Sequence, residues 1–156
     1  MKHRIAVSGA VLALLFSTAG TGLPQTTTVP SKIEVQVRYS GSGTVDQKHK
    51  IYVVVWDSPD FVKGQGVTPA AIQPTSSKDG VVTFNDVTKT PAYVSAAYDP
   101  SGQWDAQSPP PEGSSLGLYS KTPGTPAPIE LKPGKTVSIE LPFDDSVKMK
   151  GGQATR

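Results

Sequence analysis

The 156-residue sequence contains no cysteine, only two histidines, and no sustained run with the period of an amphipathic helix. The absence of cysteine excludes disulfides, thiolate metal sites, cysteine nucleophiles and thiol redox chemistry. His3 lies in an N-terminal segment that we predict is removed, so the mature chain keeps only His49, between two lysines. The sequence also has no glycine-rich phosphate loop after a strand and no histidine pair with metal-ligand spacing. We therefore predict no catalytic residues and a protein that is not an enzyme.

The N-terminus has the three regions of a secretory signal peptide. Met1–Arg4 is basic, Ile5–Phe16 is apolar, and Ser17–Ala19 supplies the small residues of a cleavage site. The apolar run is shorter than the roughly 20 residues that a membrane-spanning helix needs. A lipoprotein signal would end in a cysteine, which is missing. The sequence thus predicts a Sec-type signal at residues 1–19, a bacterial periplasmic or secreted protein, and no integral membrane segment after cleavage.

Cleavage after Ala19 changes the charge balance of the chain. The signal contains two of the 15 basic residues and none of the 13 acidic ones, so the mature chain is formally neutral. A neutral chain gives no electrostatic reason to expect nucleic acid or an acidic membrane as a partner. The partner stays unidentified at this point, with a protein or a carbohydrate as the candidates.

Three parts are predicted after the signal peptide. Residues 20–31 are polar and threonine-rich with flanking prolines, which is typical of a flexible leader. Residues 32–147 carry all the strand-like segments and form one domain. Residues 148–156 are basic and contain glycine, which predicts a disordered tail.

Short strands separated by turn residues predict the fold. Lys32–Tyr39 and Val137–Phe143 alternate between apolar and polar residues, as half-buried strands do. Ile51–Trp56 is apolar on both faces, which indicates a central strand. The segment 61–74 is expected to be a loop with a short turn or an edge strand. Further strands are predicted at Val81–Phe84, Tyr93–Tyr98 and Pro128–Leu131. The fold class is therefore all-β, an antiparallel β-sandwich of about seven strands, transthyretin-like or immunoglobulin-like.

The stretch from Thr75 to Tyr98 has a more specific pattern. An Asp-Gly turn leads into an alternating strand, and a second turn leads into a strand that begins with tyrosine. This pattern resembles the middle of carboxypeptidase-regulatory-like and transthyretin-like domains. The resemblance implies the sandwich fold but no particular activity, because such domains serve as enzyme accessory modules, adhesin repeats and carriers. The matching residues are Thr75, Asp79, Gly80, Val82, Phe84, Asp86, Val87, Pro91, Tyr93 and Val94.

Acidic residues follow three of the predicted strands. If the strands form a meander of alternating direction, Asp57, Asp99 and the pair Asp144–Asp145 lie at one end of the sandwich. His49 and the Lys132–Lys135 turn then lie at the opposite end. Aspartate is also a common turn residue, so the pattern is consistent with a purely structural role. Converging carboxylates would otherwise bind a hard cation such as Ca²⁺, the one cofactor we consider, or act as a catalytic pair.

Aromatic residues lie near the same strand ends. Trp56 and Tyr98 are expected to be core residues, because their strands are apolar on both faces. Trp104, with Asp105 and Tyr119, is a candidate ligand-binding group that could stack on a sugar ring. Trp104 lies in a polar loop, where it is either a packing anchor or an exposed contact.

These features predict an exported, non-enzymatic β-sandwich module with a binding or structural role and an unknown ligand. One alternative is a calcium- or carbohydrate-binding module that uses the acidic end. The other is a small hydrolase that depends on carboxylates.

Overall fold

The computed structural model of the chain describes residues 29–64 and 66–151. The predicted signal peptide, nearly all of the predicted leader, and residues 152–156 lie outside these ranges. Within them, no helix has the length and apolar composition needed to cross a bilayer.

Seven strands form two packed sheets, which confirms the predicted β-sandwich. The three-stranded sheet has the order β4-β1-β9, and the four-stranded sheet has the order β3-β2-β5-β6. A short hairpin, β7-β8, and one turn of 3₁₀ helix at Pro59–Lys63 complete the structure. The strands are β1 Ser31–Tyr39, β2 Ile51–Trp56, β3 Ala71–Thr75, β4 Val81–Val87, β5 Tyr93–Tyr98, β6 Ser115–Leu118, β7 Ser120–Thr122, β8 Thr125–Pro126 and β9 Thr136–Phe143.

The core lies between the sheets and follows the alternation of the sequence. In β1 the odd-numbered residues Ile33, Val35 and Val37 are fully buried, while even-numbered neighbours lie on the outer face. As predicted, β2 is an interior strand, between β3 and β5. Val54 is buried although it faces away from the main core, because the chain also covers the outer face of the four-stranded sheet.

The predicted meander is wrong. β9 pairs with β1 in parallel, from Lys32 opposite Thr136 to Tyr39 opposite Phe143. The chain moves between the two sheets after β1, after β3 and after β4, and it then returns to the free edge of β1. β1, β5 and β9 consequently end together, where the Tyr39 ring lies 5.0 Å from Tyr98 and 4.8 Å from Phe143. We call this the tyrosine end, and the other end, where β2 and β4 finish, the cleft end.

Three local predictions are refined or corrected. The segment 61–74 contains an edge strand, β3, as one of the two options predicted. Residues 128–131 do not form a strand, because only a single bridge joins Ile129 to Ala92. Prolines around this bridge cannot donate to a ladder, which limits its extension.

The predicted disorder of the tail is wrong for its first residues. The N–H of Met149 donates to the carbonyl of Ser114 at 2.8 Å, and the N–H of Leu116 donates to the carbonyl of Val147 at 2.8 Å. Residues 147–149 therefore cover the outer edge of β6.

We expect the buried face of β1 to carry much of the stability of this disulfide-free chain. Val35→Ala removes two methyl groups from a fully buried side chain and should lower the free energy of unfolding by about 2–3 kcal/mol. The matched change Val81→Ala is on a side chain that is 60% exposed and should cost less than about 0.5 kcal/mol. Urea unfolding midpoints measure both, and equal losses would contradict the burial of Val35.

Candidate functional site

Asp145 is the centre of a hydrogen-bond network at the tyrosine end. Its Oδ1 accepts from the hydroxyl of Tyr39 at 2.6 Å and from that of Ser115 at 2.7 Å. Its Oδ2 accepts from the backbone N–H and the hydroxyl of Ser42 at 2.9 and 3.0 Å. The Nζ of Lys148 lies 3.8 Å from Oδ1. Asp145 thus ties together β1, the loop after it, β6 and the end of β9.

The network shifts the titration of its members. Hydrogen bonds from Tyr39, Ser115 and Ser42 stabilise the ionised carboxylate and hold the pKa of Asp145 well below its ordinary value of 3.8. Burial, with the hydrogen bond to Asp145 as the next cause, raises the pKa of Tyr39 to about 12. The side chains therefore form a hydrogen-bonded pair of carboxylate and neutral phenol at neutral pH.

Asp99 has a similar role in the loop that follows β5. Its carboxylate accepts hydrogen bonds from the backbone N–H and hydroxyl of Ser101 at 2.8 and 2.6 Å and from the N–H groups of Gln103 and Trp104 at 3.1 and 3.0 Å. Burial raises the pKa of Asp99, but these hydrogen bonds together outweigh it and leave the pKa below 3.8. Asp99 is 2% exposed, and these hydrogen bonds hold the loop after β5 in place.

The acids at this end have few acceptor positions left for a cation. A carboxylate offers about four lone-pair sites, and Asp99 and Asp145 each already accept four hydrogen bonds from the protein. Asp144 is exposed, and its hydrogen-bond donors within the described residues come from Ser146. Over the residues that the structure describes, no group of three or more His, Cys, Asp or Glu side chains is placed to hold a metal ion.

Asp57 does not join the other predicted acids. β2 and β5 are antiparallel, with Trp56 opposite Tyr93 and Ile51 opposite Tyr98. Asp57 therefore lies beside the start of β5, whereas Asp99 follows its end, about 20 Å away at roughly 3.3 Å per residue. The prediction that Asp57 shares an end with Asp99, Asp144 and Asp145 is wrong, because β2 and β9 run in opposite directions.

His49 is also displaced from its predicted position. It lies at the tyrosine end, just before β2, and not at the opposite end. Its Nδ1 is 3.0 Å from the Oδ1 of Asp46, which also accepts from the backbone N–H groups of Lys48 and His49. These contacts close a tight turn before β2.

The predicted aromatic contacts do not come together at one surface. The Trp104 ring packs edge-on against Tyr52 at 4.8 Å, and its indole N–H donates to the carbonyl of Ser108 at 2.9 Å. Trp104 thus anchors the long loop on the outer face of the four-stranded sheet. Asp105 is exposed and accepts from the N–H of Gln107 at 3.0 Å. Tyr119 follows β6 and packs against the core, where its N–H donates to the carbonyl of Val94.

A cleft of about 310 Å³ opens at the cleft end, between the edges of the two sheets. Its volume is at the lower end of the range of about 300–1,000 Å³ that is typical of ligand pockets. The apolar part of the lining includes Trp56, Phe84 and Val87. Seven polar side chains surround this part: Asp57, Gln73, Thr83, Asn85, Asp86, Thr88 and Lys89.

Local structure fixes Trp56 at the end of β2, where its ring lies beside Ser95 on the outer face of the four-stranded sheet. The oxygen of Ser58 accepts from the N–H of Asp60 at 3.2 Å and caps the 3₁₀ turn, while Gly64 ends it with a φ of 68°. The turn presents Phe61, whose ring stacks on Trp56 at 4.7 Å with 5° between the planes. The indole N–H of Trp56 donates to the hydroxyl of Ser95 at 2.9 Å, so the ring is held from two directions.

A β-bulge arranges the opposite wall. Ile33 pairs with Phe84 and Ser31 pairs with Val87, so β4 has one residue more than β1 between these pairs. The extra residue makes Asn85 and Asp86 a bulge, which turns side chains away from the regular alternation. Both residues line the cleft as a result.

The polar side chains of the cleft differ from those at the tyrosine end in one respect. None of the seven forms a hydrogen bond or an ion pair with another residue within the described ranges. Asp99 and Asp145 of the tyrosine end, in contrast, are occupied by protein donors. The cleft thus gathers carboxylate, ammonium, amide and hydroxyl groups that are available to a ligand.

Sequence reasoning included Asp57 but missed the rest of this site. In the sequence, Asp86 belongs to a group of residues that is typical of a turn. Gln73 lies in a segment without a clear alternation of apolar and polar residues. The bulge depends on the register between β1 and β4, which the residues themselves do not reveal.

The chain matches no protein-family model, no curated protein and no solved structure. The resemblance of Thr75–Tyr98 to carboxypeptidase-regulatory-like and transthyretin-like domains therefore stays a prediction.

We expect Asp145 to stabilise the fold above its unfolded-state pKa. Asp145→Asn should lower the free energy of unfolding at pH 7 by about 2 kcal/mol, because hydrogen bonds to an ionised group are lost. The pKa of Asp145 is depressed in the folded state, so the contribution is full above pH 3.8 and is lost as the pH falls through the folded-state value. The difference between wild type and variant should therefore shrink between pH 5 and pH 2, as measured by urea unfolding.

Asp144→Asn is the matched control, since Asp144 is exposed and has a single backbone donor. It should change the stability at pH 7 by much less than Asp145→Asn. Equal effects of the two substitutions would contradict the role assigned to the Asp145 network.

Proposed function

We propose that this chain is an exported, non-enzymatic β-sandwich module that binds a ligand in the cleft between the end of β2 and the bulge of β4. The site combines an apolar base, formed by Phe84 and Val87, with polar groups of both hydrogen-bonding kinds. Binding sites of this type use apolar surface for affinity and a few polar groups for orientation.

One observation carries the proposal. All seven polar side chains of the cleft lack protein partners, including the two carboxylates Asp57 and Asp86. At the tyrosine end, in contrast, Asp99 and Asp145 each accept four hydrogen bonds from the protein. Asp57 and Asp86 line one cleft without such donors, so both carboxylates are available to a ligand there.

Export is supported by the sequence of residues 1–19, which has the basic, apolar and small-residue regions of a signal peptide. The chain has no cysteine, so its fold depends on the buried core between the two sheets and not on disulfides. A module of this kind is compatible with a role outside the cytoplasm.

A carboxylate-dependent hydrolase is the second candidate. Asp57 and Asp86 line one cleft, and two carboxylates that flank a substrate are the machinery of most glycoside hydrolases. This candidate and the binding module predict the same ligand contacts but differ in turnover.

The cleft can be tested through the fluorescence of Trp56. Trp104→Phe leaves Trp56 as the only tryptophan of the chain. We expect a saturable change in its emission with at least one probe from a panel of neutral oligosaccharides and capped heptapeptides. Asp86→Asn should weaken that binding about tenfold, as loss of a charge-assisted hydrogen bond does.

Glu112→Gln serves as the control, because it removes one carboxylate from an exposed position outside the cleft. It should leave the affinity unchanged. The same mixtures are assayed for new reducing ends and new amino groups. Product that disappears with Asp57→Asn would favour the hydrolase, and the lack of a saturable signal from every probe would contradict a binding site at this cleft.

A further inference from the structure

The outer edge of β4 lies beside the cleft and is open to pairing. The N–H of Val37 donates to the carbonyl of Gly80 at 2.9 Å, and the register continues with Val35 opposite Val82 and Ile33 opposite Phe84. In an antiparallel ladder, alternate residues direct their backbone groups at the neighbouring strand. Gly80, Val82 and Phe84 therefore face β1. Val81 and Thr83 direct their N–H and C=O groups away from the sheet.

Two of the other edges of the sandwich are protected over much of their length. β3 contains the exposed Pro74, and proline has no N–H to donate. β9 has a proline only near its end, at Pro142, but none of its residues lines the cleft. The edge of β6 is covered by the backbone of residues 147–149. β4 contains neither proline nor lysine, the residues that commonly protect an edge. Its bulge affects only Asn85 and Asp86, so the regular part of the edge stays available.

A strand added to β4 would send side chains into the cleft. Successive side chains of a strand point to opposite faces, so every second residue of the added strand would point between the two sheets. The cleft lies there, and Thr83, Asn85, Asp86 and Val87 of β4 form one of its walls. Backbone pairing at the edge and side-chain capture in the cleft are therefore parts of one binding mode.

The lining of the cleft favours a long cationic side chain. Phe84 and Val87 give the cleft an apolar base for an aliphatic stem. Asp57 and Asp86 offer carboxylates without protein partners to its charged head. Lys89 is the one cationic side chain of the lining, which leaves a net charge of minus one. Arginine and lysine combine an apolar stem with a charged head and match these walls.

Resting on the function proposed above, we propose that the ligand is an extended peptide segment that pairs with the edge of β4 and places an arginine or lysine side chain in the cleft. The backbone supplies pairing that does not depend on sequence. The cleft supplies the preference for a basic residue at one position.

The test uses the Trp104→Phe protein and three capped heptapeptides. The first peptide alternates threonine and valine around a central arginine, and the second has glutamine in place of the arginine. The third retains the arginine but is N-methylated at two backbone N–H groups that point to the same side of the extended peptide. We expect a saturable change in Trp56 emission with the first peptide, at least tenfold weaker binding of the second, and none of the third. Asp86→Asn should abolish the preference for arginine over glutamine, whereas Glu112→Gln should preserve it.

Because the test of edge pairing changes the peptide and not β4, its outcome does not depend on whether a β4 variant folds. Equal binding of the arginine and glutamine peptides, or undiminished binding of the N-methylated one, would overturn the inference. Binding of oligosaccharides but no peptide would overturn it too, while leaving the cleft as the binding site. Silence from both classes would overturn the inference and the proposed function together.

Discussion

The parallel pairing of β1 with β9 determines which side chains meet in this protein. Because β9 returns beside β1 in the same direction, the ends of β1 and β9 coincide, and the Tyr39 ring contacts Phe143 as well as Tyr98 at the end of β5. Asp145 follows β9 and thereby reaches the hydroxyl of Tyr39. The same pairing makes β1 the central strand of its sheet and leaves β4 at one edge. In the other sheet, the antiparallel pairing of β2 with β5 places the end of β2 at the cleft end.

The two ends use similar residues for different purposes. At the tyrosine end, glycines allow the loop 40–44 to pass close to the two tyrosines, and a side chain at Gly43 would collide with the Tyr98 ring. Asp145 and Asp99 then close the loops by accepting hydrogen bonds. At the cleft end, Asp57 and Asp86 are exposed and have no protein donors within the described residues. The difference in hydrogen bonding, not the residue type, separates structural acids from candidate binding groups.

Local patterns predicted the strands well because they depend on short-range alternation. The β1 and β9 segments alternate, and the Ile51–Trp56 run is apolar on both faces, so each appears in the structure close to its predicted bounds. The direction of strands relative to one another is a long-range property, and assuming a meander placed Asp57 and His49 at the wrong ends. The site was missed for the same reason. Asp86 becomes a cleft residue only through a bulge set by its register with β1.

The sheet edges of this protein differ in how well they are protected against pairing with another strand. An open edge is a liability, since it can pair with any other strand and promote aggregation. This chain protects the edge of β3 with Pro74 and the edge of β6 with its own backbone, whereas β9 has a proline only near its end, at Pro142. The regular part of β4 has no such protection within the described chain, and unlike β9 it contributes residues to the cleft. A strand added at this edge would therefore also place side chains beside the unpaired carboxylates of the cleft.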